Sequence, residues 1–163
     1  MIDRECMSTQ PHSLRLYTVG DSHSNWGNLS VHYPTKALTC YRFGFEPTRL
    51  NVPLTTEKGE MIIFCLGEID CRCHIHVHGK ETIDGIIDRY FKAIQTVTPA
   101  SVRIGVFNVV PPVRSECTEN NKDLPFRGSN EERRSYVLYF NQKLKEYCET
   151  YKFWFVDVYD KYT

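Results

Sequence analysis

Two short stretches of this chain concentrate residues that could do chemistry, and each follows an apolar run that closes on glycine. In the first, Leu14-Arg15-Leu16-Tyr17-Thr18-Val19 leads into Gly20-Asp21-Ser22-His23-Ser24. A serine at a tight turn off a buried strand sits at the carboxyl edge of a sheet, where open α/β sheets bind ligands. There Ser22 could serve as a nucleophile, with nearby backbone N–H groups facing an oxyanion. The competing reading makes Asp21 and Ser22 caps of the next segment. In the second stretch, Met61 to Leu66 closes on Gly67 and runs into Glu68-Ile69-Asp70-Cys71-Arg72-Cys73-His74. Two strands that both end in Gly plus acidic and nucleophilic groups predict one shared edge.

In this order the two stretches resemble the SGNH (GDSL-type) hydrolase superfamily, serine esterases and acyl hydrolases on a flavodoxin-like α/β fold. Gly20-Asp21-Ser22 matches the first block of that superfamily, and Gly67-Glu68-Ile69-Asp70 lies where its third block, Gly-x-Asn-Asp, belongs. The form Gly-Glu-Ile-Asp-Cys-Arg-x-His is similar to a branch often found near glycan-assembly proteins. Pro111-Pro112, Leu124-Pro125-Phe126-Arg127-Gly128-Ser129 and Phe155-Val156-Asp157-Val158-Tyr159 resemble that branch too, so the likeness spans the chain from about Leu14 onward. It implies a catalytic set of Ser22, Asp21, Gly67 and Asp70. It implies an O-acyl esterase or acyltransferase acting on a carbohydrate, with substrate contacts from Glu68, Arg72 and His74, an acyl ester of a small molecule or glycan as substrate, and no cofactor or metal.

The sequence departs from the superfamily in two places. Ile69 stands where the oxyanion-donating Asn belongs, and Ile cannot donate a hydrogen bond. The superfamily's catalytic Asp-x-x-His follows the last strand, yet Asp157-Val158-Tyr159-Asp160 has Asp at its fourth position. The expectation is a domain truncated before its base, with little esterase activity as it stands. A non-catalytic glycan- or ligand-binding module on the same fold is the main rival. A third reading places a metal on Cys71 to His78. Read as a strand, that segment puts His74, His76 and His78 on one face, but Cys-x-Cys is not the usual structural-zinc spacing, so joint metal binding is not expected.

Other residues leave alternatives open. Glu68, Asp70 and Arg72 form either a solvated turn or an ion-paired scaffold for the oxyanion loop, a use that suits the forked guanidinium. None of the six His has a spacing that marks it as the base, and His23, directly after Ser22, is expected to point elsewhere. There is no P-loop, no Gly-x-Gly-x-x-Gly after a strand and no Gly-x-Ser-x-Gly elbow.

The elements that must position these groups follow from periodicity. A length of 163 residues suits one domain with a genuine core, here a flexible stretch 1–13 followed by a domain over 14–163. Near-continuous apolar runs predict buried parallel strands over Leu14 to Val19, Met61 to Leu66, Val102 to Val110 and Phe153 to Val158. A further short strand is expected around Leu38 to Phe43. Ile83, Ile86, Ile87, Tyr90, Phe91 and Ile94 recur at helical spacing within Glu81 to Gln95. Ser129-Asn130-Glu131-Glu132 is a capping-box pattern that opens a helix through about Thr150, with a stripe of Tyr136, Phe140, Leu144 and Tyr147. Pro111 to Gly128 reads as a loop overhanging the site. Strand–helix alternation of this kind predicts a three-layer α/β/α sandwich with a parallel flavodoxin-like sheet.

Composition bounds the partners. Lys+Arg 20 balances Asp+Glu 20, so no global field favours nucleic acid or an anionic membrane. Seven Cys cannot all pair internally, and no leader or membrane-length apolar run is visible, so a cytoplasmic protein with free thiols is expected. The sequence leaves the oligomeric state open.

Overall fold

A computed structural model describes residues 15–20, 22–52, 54, 59–114 and 122–162, and of Ser22 it describes the backbone alone. The expected loose stretch 1–13, Leu14 and Asp21 lie outside the described residues.

Five strands form one parallel sheet: β1 (Arg15–Gly20), β2 (Val31–Pro34), β3 (Glu60–Cys65), β4 (Arg103–Phe107) and β5 (Trp154–Val156), in the order β2-β1-β3-β4-β5. Helices α1 (Cys40–Phe45), α2 (Ile75–His78), α3 (Ile83–Val97) and α4 (Asn130–Tyr151) accompany the sheet, consistent with the three-layer α/β/α fold expected from the sequence, and all four contribute to the core on one sheet face. The chain leaves β1 for β2 on one side and returns past it to β3. That reversal makes the gap between β1 and β3 the topological switch point, where sheets of this order bind their ligands. Gly20 pairs with Cys65 in register, so the turns after β1 and β3 emerge side by side at the carboxyl edge.

Period two along the strands sorts two cores. Tyr17, Val19, Ile62, Phe64 and Val106 face the helices, whose contribution includes Ile83, Ile87, Phe91, Ile94, Phe140 and Leu144. Each such side chain, fully buried, contributes roughly 1.5–3 kcal/mol of apolar transfer. The alternate residues Met61, Ile63, Cys65 and Phe107 form a smaller cluster on the other sheet face, with Trp26 against it. All six residues expected on the α3 stripe are buried. On α4 the buried line runs Arg133, Val137, Phe140, Leu144 and Cys148, so Tyr136 and Tyr147 flank the seam instead of forming it. The Ser129 capping box is present, with Glu132 N–H donating to Ser129 Oγ at 3.1 Å and Ser129 N–H to Glu132 Oε2 at 2.7 Å.

Two expectations about local structure are corrected. Leu38 to Phe43 is not a strand: Thr39 caps α1, its Oγ1 accepting Arg42 N–H at 3.0 Å. The sheet instead takes Val31–Pro34, a short edge strand of only partial burial that periodicity does not reveal. The segment from Asp70 to His78 is likewise helical, a π-turn at Asp70–His74 continuing into α2. In a helix His74 and His78 share a face while His76 points away, so strand alternation does not describe these three residues.

Candidate active site at the switch point

The turn after β1 is fixed from three sides. Gly20 has φ +155°, and a Cβ there would collide with the Cys65 carbonyl, so only glycine lets the two strand ends come this close. Ser22–Ser24 follows as one 3₁₀ turn. The fully buried Ser24 Oγ lies 2.7 Å from His32 Nε2 on β2, and Thr18 Oγ1 lies 2.8 Å from Ser30 Oγ. Trp26 donates from Nε1 to the His23 carbonyl at 3.0 Å, and its ring packs 5.6 Å from that of Phe107. The backbone of Ser22 thus stands just past the end of β1, on a turn tied to its neighbours.

The turn after β3 is held as tightly. Gly67 has φ +120°, and a Cβ there would meet Phe140 at 2.7 Å and Val109 Cγ2 at 2.8 Å. Glu68, Cys65, His23 and Asn108 line a narrow cleft across the ends of these strands. Ile69 is buried, as its side chain dictates. Glu68 and Arg72 form the ion-paired alternative, Arg72 Nε lying 2.6 Å from Glu68 Oε1 across one helical turn. Arg72 Nη1 also donates to the Leu124 carbonyl, and its own carbonyl accepts Arg127 N–H at 3.1 Å. Arg72 therefore straps the loop over the edge.

Asp70 points inward and has no solvent exposure. Its carboxylate accepts the Cys40 N–H at 2.8 Å and the Tyr41 N–H at 3.1 Å, the first turn of α1. Burial pushes its pKa up to about 6, against the lowering effect of those two donors. His74 faces a different cavity, shared with His78 and Arg89. Burial, and then the neighbouring His78, Arg127 and Arg72, hold its imidazole below the ordinary histidine value.

The described cysteines Cys40, Cys65, Cys71, Cys73 and Cys148 are all free and buried. Burial, and then Asp70 and Glu68, push the Cys71 thiol well up, and burial takes Cys148 to about 12. Such thiols are poor nucleophiles and poor ligands at neutral pH. Among the described residues no three His, Cys, Asp or Glu side chains are grouped to hold a metal ion, and no helix is long and apolar enough to cross a membrane.

Sequence reasoning missed four structural residues here. The Phe126 ring packs against two guanidinium groups, with Arg72 Cζ and Arg133 Cζ each 5.2 Å from its centroid. Arg133 is almost wholly buried, donating to the Gly128 carbonyl at 2.6 Å and to Asn130 Oδ1. Asn108 Oδ1 accepts Val158 N–H at 3.0 Å and ties β4 to the end of β5. Asn141 brackets Val109, accepting its N–H at 2.8 Å and donating to its carbonyl at 2.7 Å. Asn108 lies inside the run expected as a strand over Val102 to Val110, and its position as a lone amide in that apolar run was the only signal it carried.

A five-stranded parallel sheet in the order β2-β1-β3-β4-β5 defines a flavodoxin-like α/β fold. Solved structures share it. A member of the lipolytic G-D-S-L family from Veillonella parvula aligns with TM-score 0.57 and 10% identity over 90% of this chain and 78% of that one. An acylhydrolase candidate from Bacteroides fragilis aligns with TM-score 0.61 and 15% identity over 93% and 71%. Phospholipase A1 from Streptomyces albidoflavus aligns with TM-score 0.50 and 7% identity over 87% and 78%. At these identities the likeness is one of fold. No protein-family model matches the chain, and no curated protein matches it by sequence.

Proposed function

We propose that this domain is an SGNH-type serine ester hydrolase that removes acyl groups from hydroxyls of a carbohydrate. One observation carries the reading: Gly20 and Cys65 pair in register, so the chain toward Ser22 and the chain toward Gly67 leave the sheet side by side at the switch point. The carbohydrate assignment rests on the sequence form Gly-Glu-Ile-Asp-Cys-Arg-x-His. In this reading Ser22 Oγ attacks the ester carbonyl carbon. Backbone N–H groups beside Ser22 and Gly67 hold the oxyanion, a task that Ile69 leaves to the main chain. The sugar hydroxyl leaves with a proton, and water then releases the acyl group as its acid. The proton of Ser22 passes to a histidine of an Asp-x-x-His block, which the resemblance places after β5. Glu68 borders the cleft as a substrate contact, with Arg72 positioning it, and Asp70 holds the segment in place from beneath.

Acetate release from p-nitrophenyl acetate and from acetylated sugars tests this. The expected result is little turnover from the chain as it stands and, once an Asp-x-x-His block is supplied after β5, turnover that falls by about 10³-fold or more in Ser22→Ala. Activity should rise when an Asp-x-x-His block is supplied after β5. Turnover unchanged by Ser22→Ala would overturn the reading. Saturable glycan binding without turnover, even with the histidine supplied, would make the domain a binding module.

A further inference from the structure

A second cavity, of about 420 Å³, opens between α1, α2 and α3, away from the narrow cleft at the strand ends. Its walls are the Tyr41 ring, Ile75 and Ile86, and its polar groups come from His74, His78 and Arg89. The volume falls in the ordinary range for small-molecule sites, and an apolar lining with a few convergent polar groups is their usual make-up.

Arg89 distinguishes the cavity. Its Nε is buried with no hydrogen-bond partner among the described residues. Its guanidinium carbon lies 4.6 Å from the Phe45 ring centroid and 5.8 Å from that of Tyr41. The Arg72 guanidinium pairs with Glu68 and that of Arg49 with Glu46, and Arg133, whose Nε is likewise buried without a partner among the described residues, donates from Nη1 and Nη2 to backbone and amide oxygens. The acidic neighbours of Arg89 on α3 are engaged elsewhere. Asp88 pairs with Lys92 at 2.7 Å, and Asp84 accepts from Tyr139 at 3.1 Å. No carboxylate is among the residues lining the cavity. Aromatic faces hold a guanidinium by its π side and leave its in-plane N–H groups for an acceptor.

We propose that this cavity binds a small organic monocarboxylate, its carboxylate on Arg89 and its apolar body against Tyr41, Ile75 and Ile86. The fork of the guanidinium matches a carboxylate with two parallel hydrogen bonds. His74 is kept uncharged at neutral pH by its burial and by the cationic groups near it, so it offers a hydrogen bond without a second permanent charge. One fixed cation with apolar walls suits a monoanion with an apolar tail better than phosphate. The site is independent of the ester hydrolase reading, since it uses none of the residues at the switch point.

Benzoate and hexanoate are the probes, titrated into the full 163-residue chain by calorimetry and by NMR of the His and Arg side chains. Saturable binding is expected, one ligand per chain, with shifts centred on His74, His78 and Arg89. Arg89→Gln should weaken it at least tenfold, and Arg89→Lys should restore it only in part. His78→Gln, at an exposed position, should weaken it several-fold, and Arg103→Gln on β4 should not change it. Benzyl alcohol should bind at least tenfold more weakly than benzoate. Should Arg89→Gln fail to fold, the wild-type shift map and His78→Gln decide. The proposal is overturned if neither carboxylate saturates at millimolar concentration, if the shifts map elsewhere, or if inorganic phosphate binds in their place.

Discussion

Asp70 and Cys40, thirty positions apart in sequence, are joined by a buried hydrogen bond of 2.8 Å from the Cys40 N–H to the Asp70 carboxylate. The same carboxylate accepts the Tyr41 N–H, so the segment after Gly67 and the start of α1 form one unit. A six-residue helix has little intrinsic stability, and an acceptor for its first N–H groups is what fixes it.

The burial of that carboxylate predicts a pH signature. Asp70 has its folded pKa raised from 3.8 to about 6, chiefly by burial. Between those values the folded protein holds a proton that the unfolded chain releases. The contribution of Asp70 is therefore largest below pH 4, falls as pH rises through 6, and is flat above. The full amplitude is roughly 3 kcal/mol. Urea unfolding from pH 4 to 7 should show this fall in the wild type and its absence in Asp70→Asn. Equal pH slopes for the two proteins would contradict it.

Gly20 and Gly67 set how closely the two strand-end turns approach. Gly20→Ala drives a methyl into the Cys65 carbonyl, which belongs to the sheet and cannot yield. Gly67→Ala meets the Phe140 ring and Val109, side chains that can shift, but it also strains a backbone at φ +120°. Both variants should be destabilised, Gly20→Ala by more than about 3 kcal/mol and Gly67→Ala by about 1–3 kcal/mol. Thermal melts establish the order. A smaller effect at Gly20 than at Gly67 would contradict the geometry.

The legibility of the fold followed burial. β3 and the α3 stripe were readable because every residue of Glu60–Cys65 is buried and the apolar positions of α3 recur on one face. β2 was hidden because Val31–Pro34 is a half-exposed edge containing His and Pro. Thr39 carried the signal for α1, but the aromatic and Cys content of the helix looked strand-like, and its N-terminus is completed by Asp70 from another segment. The same long-range logic hid the Phe126 contacts. Its two arginines come from elements 61 positions apart, and no local pattern relates them. At the site, Gly20, Ser22 and Gly67 were legible as strand-end residues, whereas the inward turn of Asp70 and the opening of His74 into another cavity depend on a π-turn that alternation mimics.

Phe126 joins the strapped loop to α4 through its ring. Phe126→Ala removes the ring that both guanidinium groups pack against. The expected cost is about 2–3 kcal/mol from lost burial and two cation–π contacts. Phe126→Leu keeps most of the volume without the π face and should cost about half as much. Denaturant melts of both variants check this, and equal stabilities would show that packing alone matters there.

Asn141 makes the last prediction because both halves of its amide are used on one residue. Its Oδ1 accepts the Val109 N–H at 2.8 Å, and its Nδ2 donates to the Val109 carbonyl at 2.7 Å. Asn141→Asp keeps the acceptor but turns a carboxylate oxygen toward that carbonyl. At pH 7 the variant should be less stable than the wild type by about 1–3 kcal/mol. The new carboxyl group can donate to the carbonyl only when protonated, so its folded pKa must lie above its unfolded value. The loss should therefore be relieved below about pH 4 and should grow as pH rises through the folded pKa. Val109 also packs against Gly67 at the switch point, so any Ser22-dependent turnover should fall with the stability and recover with it. Urea unfolding at pH 4 and pH 7 is decisive: a deficit that is the same at both would show that the Nδ2–carbonyl bond contributes nothing.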